Sequence, residues 1–171
     1  KRDETLESTI SEIFTEKAIT LAVAESCTGG LVSNLLTNVQ GSSAFFLGGI
    51  VSYSNKVKEN LLNVPEKLIN EFGVISAEVA KAMASGARER IQADIGLAIT
   101  GIAGPTSVDG NVDRERPVGL VYVATAINDE LECKEYSFFG SRIDIKRRAA
   151  NAALNTLRLA LSGKVTKQRK H

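Results

Sequence analysis

A short polar segment near the start of the chain, Ala24-Glu25-Ser26-Cys27-Thr28-Gly29-Gly30, contains residue types that can do chemistry. It follows an apolar, β-prone run over residues 19–23 and precedes an amphipathic helical run over residues 31–39. Glycines let the backbone approach a ligand closely, and a helix start offers N–H groups to an anion or a developing oxyanion. We therefore expect a compact site in this segment, with Ser26 as the candidate nucleophile.

The histidine content limits the mechanisms open to Ser26. The only histidine is His171, the last residue, so we expect no Ser-His-Asp or Cys-His catalytic group. A zinc site needs about three or four N, S or O ligands, and two distant cysteines without a core histidine do not supply them. We expect no metal and no cofactor, while a carboxylate-based magnesium site stays open as an alternative.

Composition predicts one domain with an aliphatic core. The 171 residues suffice for a single domain, and because there is no tryptophan, Val, Ile, Leu and Ala must fill the interior. The formal net charge of +1 gives no general attraction to nucleic acid or membrane, so neither is an expected partner. Cys27 and Cys133 make no disulfide framework, and neither a membrane span nor a signal peptide is visible. We therefore expect a cytoplasmic protein.

Hydrophobic periodicity predicts alternating helices and strands that close with a hairpin and a helix. The predicted strands are 19–24, 46–54, 95–100, 118–127 and 131–139; the predicted helices are one around Leu6 to Phe14, then 30–38, 55–62, 65–73, one after Ser76, and 143–161. This order favours a single three-layer α/β/α domain with a mixed sheet of about five strands. Pro65 is expected at the first helical position, and Gly48-Gly49 at a bulge or close approach. Gly163 is the expected stop of the last helix, which gives a domain over 1–163 and a basic tail over 164–171.

Three polar loops should meet at one edge of this sheet. They are residues 25–30, 53–58 and 100–106, and each begins where a predicted strand ends. If the three strands are parallel, their carboxyl ends share the rim at which α/β sheets bind ligands.

A resemblance to a known family rests on four segments in order: AESCTGG at 24–30, GSSAFF at 41–46, YSNKVK at 53–58 and TGIAGP at 100–105. They resemble the CinA C-terminal domain family, as do RPVGLVYVA at 116–124 and FFGSR at 138–142. The resemblance covers about residues 5–162. The family that it indicates includes the nicotinamide mononucleotide deamidases. It implies an amidohydrolase that converts the carboxamide of nicotinamide mononucleotide to nicotinic acid mononucleotide and ammonia, a step in pyridine-nucleotide recycling.

The resemblance also implies site residues. Ser26 matches the nucleophile and Lys58 the general base, and Tyr53, Thr100 and Arg142 match positions of the active-site region. A lysine base must be neutral, so its pKa must fall from about 10.4 through burial or a nearby positive charge, such as the pyridinium of the substrate. We expect a catalytic role for Tyr53 and a phosphate contact from Arg142. The other expected substrate contacts are Glu25, Thr100, Gly101 and the backbone N–H groups of Thr28, Gly29 and Gly30, or of Ser42 and Ser43, for the oxyanion.

Several of these residues have a second interpretation. Ser26 could cap the helix, and Cys27 could be the nucleophile or a small buried residue. Glu25 could be a general base, a ribose ligand or a structural acceptor. Arg142 could pair with Asp144 instead of a phosphate.

The function also has alternatives. One is a non-catalytic nucleotide-binding or regulatory module of the competence-damage type on the same fold, and another is an amidase for a different nicotinamide conjugate. Retention of both Ser26 and Lys58 favours the enzyme. We expect a homo-oligomer, with a dimer favoured. The stretch 106–116 is longer and more charged than the family's loop, and could be a lid, an oligomer contact or an insert.

Overall fold

The computed structural model describes residues 5–104 and 116–164. Six α-helices and five strands follow one another in these ranges. The helices are α1 (Leu6–Lys17), α2 (Leu31–Thr37), α3 (Asn55–Leu62), α4 (Glu66–Phe72), α5 (Ala77–Ile91) and α6 (Arg142–Lys164). The strands are β1 (Leu21–Glu25), β2 (Phe46–Val51), β3 (Ile95–Gly101), β4 (Leu120–Ile127) and β5 (Glu130–Ser137), and a short 3₁₀ helix, Ser42–Ala44, precedes β2.

The five strands form one mixed sheet in the order β2-β1-β3-β4-β5. Strand β1 is parallel to both of its neighbours, and its last residue, Glu25, pairs with Val51 of β2 and Ile99 of β3. Strands β3, β4 and β5 are antiparallel to one another. Because β1, β2 and β3 run in the same direction, their carboxyl ends share one edge, and the expected meeting of the three polar loops is possible there.

Helices cover both faces of the sheet, which confirms the three-layer α/β/α prediction. On one face, side chains of α1, α2 and α6 pack with the sheet around Phe14, Val32 and Leu154. On the other face, α3, α4 and α5 pack around Leu62, Ile69 and Met83. The core is aliphatic apart from Phe14 and Phe45, whose ring centroids lie 5.2 Å apart.

Two glycine positions let elements approach closely. A Cβ on Gly86 of α5 would lie 1.9 Å from the carbonyl oxygen of Leu62, so only glycine lets α3 rest on α5 at this point. A Cβ on Gly49 would lie 2.4 Å from the Ser33 hydroxyl, and the pairing of β1 with β2 shifts register between Leu21 and Ala22. The bulge and the close approach expected at Gly48-Gly49 are both present.

Two helix ends differ from the prediction. Pro65 has an extended backbone (φ −62°, ψ 130°) and is the N-cap, so α4 begins one residue later than expected. Gly163 does not stop the last helix, because α6 continues to Lys164. A glycine in a helix costs about 1 kcal/mol, and the fully buried Leu157 and Leu161 anchor the preceding turns against the core. The expected tail beyond Lys164, most of the 106–116 stretch and His171 lie outside the described residues.

Candidate active site

A cavity of about 220 Å³ opens at the carboxyl edge of the parallel strands. Six residues predicted for the site lie together in its lining: Ser26, Tyr53, Lys58, Thr100, Gly101 and Arg142. Four further lining residues belong to the loops 53–58 and 100–106 that the sequence predicted at this edge: Asn55, Ile102, Ala103 and Gly104. Val74 and Ile75, which precede α5, also line the cavity, and no pattern in the sequence marks these two apolar residues as part of a site.

Ser26 is held firmly at the end of β1. Its N–H donates to the Ile99 carbonyl at 2.9 Å, which continues the sheet ladder by one residue, and its own carbonyl accepts from the Gly29 N–H at 3.1 Å. The side chain faces the cavity and is 9% exposed. Ser26 therefore lies ahead of α2, whose N-cap is Gly30, and does not cap that helix.

Lys58 reaches Ser26 from α3. The hydroxyl of Ser54 caps this helix by accepting from the Val57 N–H at 3.3 Å, and the next turn directs Lys58 inward. Its Nζ lies 3.3 Å from Ser26 Oγ and 2.6 Å from the Ser52 carbonyl oxygen. The residue is only 1% exposed.

Burial makes the Lys58 amine easier to deprotonate. It lowers the pKa of Lys58 to about 8, with Cys27 acting in the opposite direction. At pH 7 such a pKa leaves about one amine in ten neutral and able to accept a proton. When neutral, the amine can donate to the Ser52 carbonyl and accept the Ser26 hydroxyl proton, which is the geometry of a general base.

Cys27 also lines the cavity but differs from Ser26 in reactivity. It is 5% exposed, and burial raises the pKa of its thiol to about 12. The thiolate is the reactive form of cysteine, so a thiol that keeps its proton at neutral pH is a poor nucleophile. The interpretation of Cys27 as a small buried residue fits this environment.

Glu25 does not face the cavity, which corrects its expected contact with substrate. It is fully buried, and its Oε2 accepts from the Thr28 hydroxyl at 2.6 Å and from the N–H groups of Gly30 and Val32 at 3.0 Å each. Its Oε1 accepts from the N–H of Ser33 at 2.8 Å and from the Ser33 hydroxyl at 2.7 Å. The carboxylate is the structural acceptor that closes the start of α2.

This network also corrects the expected oxyanion donors. The N–H groups of Gly29 and Gly30 are committed, the first to Ser26 and the second to Glu25, so neither is free for a ligand. Thr28, Gly29 and Gly30 instead border a neighbouring cavity. The N–H group of Cys27 is hydrogen-bonded to its own thiol sulfur. Within the described part of the chain, the N–H group of Thr28 has no hydrogen-bond acceptor and is the remaining donor beside Ser26.

Ser42 and Ser43 lie at the opposite edge of the sheet. They precede β2, and the nearby Phe45 carbonyl accepts from the N–H of Leu21, the first residue of β1. Ser26 follows the other end of β1, five residues away, and a strand rises about 3.3 Å per residue. The expectation that these serines adjoin Ser26 within this chain is therefore wrong, because residues 41–45 lead into the amino end of β2 and Ser26 follows the carboxyl end of β1.

Arg142 and Tyr53 form the rim of the cavity. Arg142 is the first residue of α6, and its Nη2 donates to the Tyr53 hydroxyl at 2.8 Å. The alternative pairing of Arg142 with Asp144 is not observed, since the Asp144 carboxylate accepts from the Ser141 hydroxyl at 2.6 Å and from its N–H at 3.0 Å. These bonds lower the pKa of Asp144. The guanidinium of Arg142 is left with further donors at the mouth of the cavity.

Thr100 and Gly101 form the wall opposite the rim. The Thr100 hydroxyl donates to the Val74 carbonyl at 3.3 Å, which ties β3 to the turn between α4 and α5. A Cβ on Gly101 would lie 2.5 Å from the Leu120 carbonyl oxygen, so this glycine lets β4 approach the site.

Neither a metal nor a membrane-spanning helix has support in residues 5–104 and 116–164. No group of three or more His, Cys, Asp or Glu side chains in these ranges could hold a metal ion. None of the helices described combines the length and the apolar character needed to cross a membrane.

Comparison with known proteins identifies relatives over nearly the whole chain. The family model of the CinA C-terminal domain matches residues 3–161. A CinA-like protein of Geotalea uraniireducens is 48% identical over 158 residues, which cover 92% of this chain and 37% of that protein. A CinA-like protein of Geobacter sulfurreducens is 48% identical over 159 residues, or 93% of this chain and 38% of the relative. The chain thus spans little more than a third of these curated relatives.

Solved structures share the fold. The competence damage-inducible protein A of Klebsiella pneumoniae has a TM-score of 0.87 at 28% identity, with 94% of this chain and 97% of that chain covered. The competence/damage inducible protein CihA of Agrobacterium tumefaciens has a TM-score of 0.83 at 36% identity, with 92% and 95% covered.

Proposed function

Because this chain belongs to the CinA C-terminal domain family, we propose that its cavity deamidates nicotinamide mononucleotide by a Ser–Lys mechanism. The products are nicotinic acid mononucleotide and ammonia. The observation that carries the proposal is the 3.3 Å contact between Lys58 Nζ and Ser26 Oγ, two buried side chains in the lining of the cavity. Serine is a weak nucleophile without an adjacent base, and this lysine is the one base in contact with it among the described residues.

The first step forms an acyl-enzyme. The neutral Lys58 amine takes the Ser26 hydroxyl proton while Oγ attacks the carboxamide carbon, and the carbonyl oxygen becomes an oxyanion. The uncommitted N–H group of Thr28, two residues after Ser26, is the backbone donor assigned to this oxyanion, and one such donor is worth about 3–4 kcal/mol in a transition state. The Lys58 ammonium then gives its proton to the amide nitrogen, and the C–N bond breaks to release ammonia.

The second step reverses these roles with water. Lys58, neutral again, takes a proton from a water molecule that attacks the acyl carbon, and returns a proton to Ser26 Oγ as the ester bond breaks. The Ser52 carbonyl, 2.6 Å from Nζ, keeps the amine directed at the reacting oxygen throughout. The same group therefore acts as base and acid in both halves of the reaction.

The substrate contributes to its own hydrolysis in this proposal. Its pyridinium cation withdraws electrons from the carboxamide, and a positive charge close to Lys58 further favours the neutral amine. Arg142 binds the phosphate with the guanidinium donors that its contact with Tyr53 leaves free. Tyr53 orients that guanidinium and, at 62% exposure, flanks the entrance.

Ammonia release from nicotinamide mononucleotide, compared between the wild type and Ser26→Ala, tests the proposal. We expect release by the wild type and loss of at least about 10³-fold in the variant, because removal of a catalytic nucleophile leaves only binding and oxyanion contacts. Ser162→Ala, an exposed serine of α6, is the matched control and should match the wild type.

Two results would contradict the proposal. Turnover by Ser26→Ala at the wild-type rate would remove the nucleophile. Binding of the mononucleotide without any ammonia release by the wild type would favour the non-catalytic nucleotide-binding module instead.

A further inference from the structure

Ser52 is a buried polar residue whose side chain the mechanism above does not use. It directly follows β2, is fully buried and does not line the cavity. A hydroxyl removed from water in this way needs a hydrogen-bond partner in the protein. The partner that it has joins it to the strand that carries Ser26.

Two donors of Ser52 converge on one carbonyl. Its N–H donates to the Glu25 carbonyl oxygen at 2.7 Å and continues the pairing of the two strands by one residue beyond Glu25 and Val51. Its hydroxyl donates to the same oxygen at 3.3 Å. Because Glu25 directly precedes Ser26, these bonds attach Ser52 to the residue before the nucleophile.

The carbonyl of Ser52, in turn, binds the base. It accepts from Lys58 Nζ at 2.6 Å, and Nζ lies 3.3 Å from Ser26 Oγ. Hydrogen bonds and covalent bonds thus form a closed ring that runs from Ser26 through Glu25, Ser52 and Lys58 back to Ser26. Every link of this ring helps to set the distance between the base and the nucleophile.

The side-chain bond of Ser52 matters because little else directs the amine. A lysine has a flexible four-carbon stem, and in the described ranges the hydrogen-bond partners of Lys58 Nζ are the Ser52 carbonyl and the Ser26 hydroxyl. Ser26 is anchored separately, since its N–H donates to the Ile99 carbonyl at 2.9 Å. A rotation of Ser52 would therefore move the amine relative to a fixed nucleophile. With its N–H and its hydroxyl bonded to one oxygen, Ser52 resists that rotation.

We propose that Ser52 is a positioning residue, whose hydroxyl fixes the carbonyl that directs the Lys58 amine at Ser26. The inference rests on the proposed function and deepens it, because it names what determines the geometry of the base. The hydroxyl is bonded to Glu25 and acts on Lys58 only through the Ser52 carbonyl. Its loss should therefore slow the proton transfer and leave substrate binding intact.

Steady-state kinetics with nicotinamide mononucleotide test this role. For Ser52→Ala, kcat should fall by about threefold to tenfold with KM unchanged, because a misplacement of about 1 Å costs about 100-fold and a lost side-chain bond allows a smaller one. Ser52→Thr keeps the hydroxyl and should restore kcat. Thr156→Val is the matched control, since it removes a buried hydroxyl that bonds to Tyr136 of β5, at the opposite edge of the sheet from β2. Equal kcat values for Ser52→Ala and Thr156→Val would overturn the role.

Acylation of Ser26 by p-nitrophenyl acetate separates this proposal from the deamidase itself. The bond from the acetyl carbon to p-nitrophenolate breaks as the bond to Ser26 Oγ forms, while Lys58 takes the hydroxyl proton. The burst of p-nitrophenolate should be absent in Ser26→Ala. It should be about threefold to tenfold slower in Ser52→Ala than in the wild type, Ser52→Thr and Thr156→Val. If this pattern holds while the wild type releases no ammonia from the mononucleotide, the deamidase fails and the positioning role is supported.

Three results of this experiment would contradict the positioning role. The first is an equal burst rate in Ser52→Ala and the wild type, even where deamidation is observed. The second is a Ser52→Thr variant that is as slow as Ser52→Ala although urea denaturation gives it the stability of the wild type, because the hydroxyl would then not be the group that matters. The third is a wild type without a burst, which would remove the activated Ser26 that the ring positions.

Discussion

Glu25 and Lys58 are both buried ionisable residues at the carboxyl edge of the sheet, yet their surroundings differ in kind. Glu25 is fully buried and accepts five hydrogen bonds, three at Oε2 and two at Oε1. Lys58 is 1% exposed and has two partners, the Ser52 carbonyl and the Ser26 hydroxyl. The donors to the carboxylate all come from residues 28–33. The amine, in contrast, has fewer hydrogen-bond acceptors than its charged form can use.

This difference separates a structural charge from a reactive one. A buried charge that is fully hydrogen-bonded stays where the fold places it, and the fold depends on it. A buried charge with too few partners shifts its pKa toward the neutral form, as Lys58 does, to about 8. The same edge of the sheet thus keeps one residue inert, next to another that is ready to accept a proton.

Replacement of Lys58 is expected to have the largest effect on activity. Lys58→Met keeps the length and apolar stem of the side chain but removes the base, so kcat/KM for deamidation should fall by about 10²- to 10⁴-fold. Lys56→Met, two residues away on the exposed side of α3, is the matched control and should retain wild-type kinetics. A loss below about fivefold in Lys58→Met would transfer the role of base to a bound water.

Replacement of Glu25 tests the other half of the comparison. Glu25→Gln turns one acceptor oxygen into an amide donor that faces donors, so we expect the free energy of unfolding to fall by about 3 kcal/mol. Urea denaturation measures the change, with Glu71→Gln at an exposed position of α4 as the control. A variant within about 0.5 kcal/mol of the wild type would show that the five hydrogen bonds contribute little net stability.

The sequence predicted the elements well, because their signals are local. Helix α3 has the predicted bounds, Asn55–Leu62, since Ser54 is a strong N-cap and Asn63 ends the helix with a left-handed backbone. The strands and their meeting edge also follow from apolar runs and polar turns. Pro65 and Gly163 were misplaced by a residue because a cap depends on backbone angles and on packing that residue types alone do not specify.

The site was predicted only in part, because side-chain partners are non-local. The predicted meeting of Ser26 and Lys58 is observed, but the partner that directs the amine is a backbone carbonyl, that of Ser52, which no residue type reveals. Glu25 was left open between three roles, since nothing in the segment shows which way its side chain points. Ser42 and Ser43 were expected at the site from their motif, and the direction of β2 places them at its other end.

The pH dependence of stability provides the smallest and most specific effect. The pKa of Lys58 is lowered by burial in the folded protein to about 8, from its ordinary value of 10.5. Between these values the unfolded chain holds a proton that the folded chain has released, so the free energy of unfolding rises with pH. The free-energy cost of burying the charged form of Lys58 is present in full below pH 8. It disappears as the pH approaches 10.5.

Lys58→Met lacks this titration, so the wild type should gain stability relative to it as the pH rises. Between about pH 7 and pH 10 the gain should be about 2 to 3 kcal/mol, measured by urea denaturation of both proteins at each pH. Lys56→Met, whose replaced amine is exposed, should follow the wild type across the range. A constant difference between the wild type and Lys58→Met would mean that Lys58 is charged in the folded protein, and the contrast with Glu25 would then be one of geometry alone.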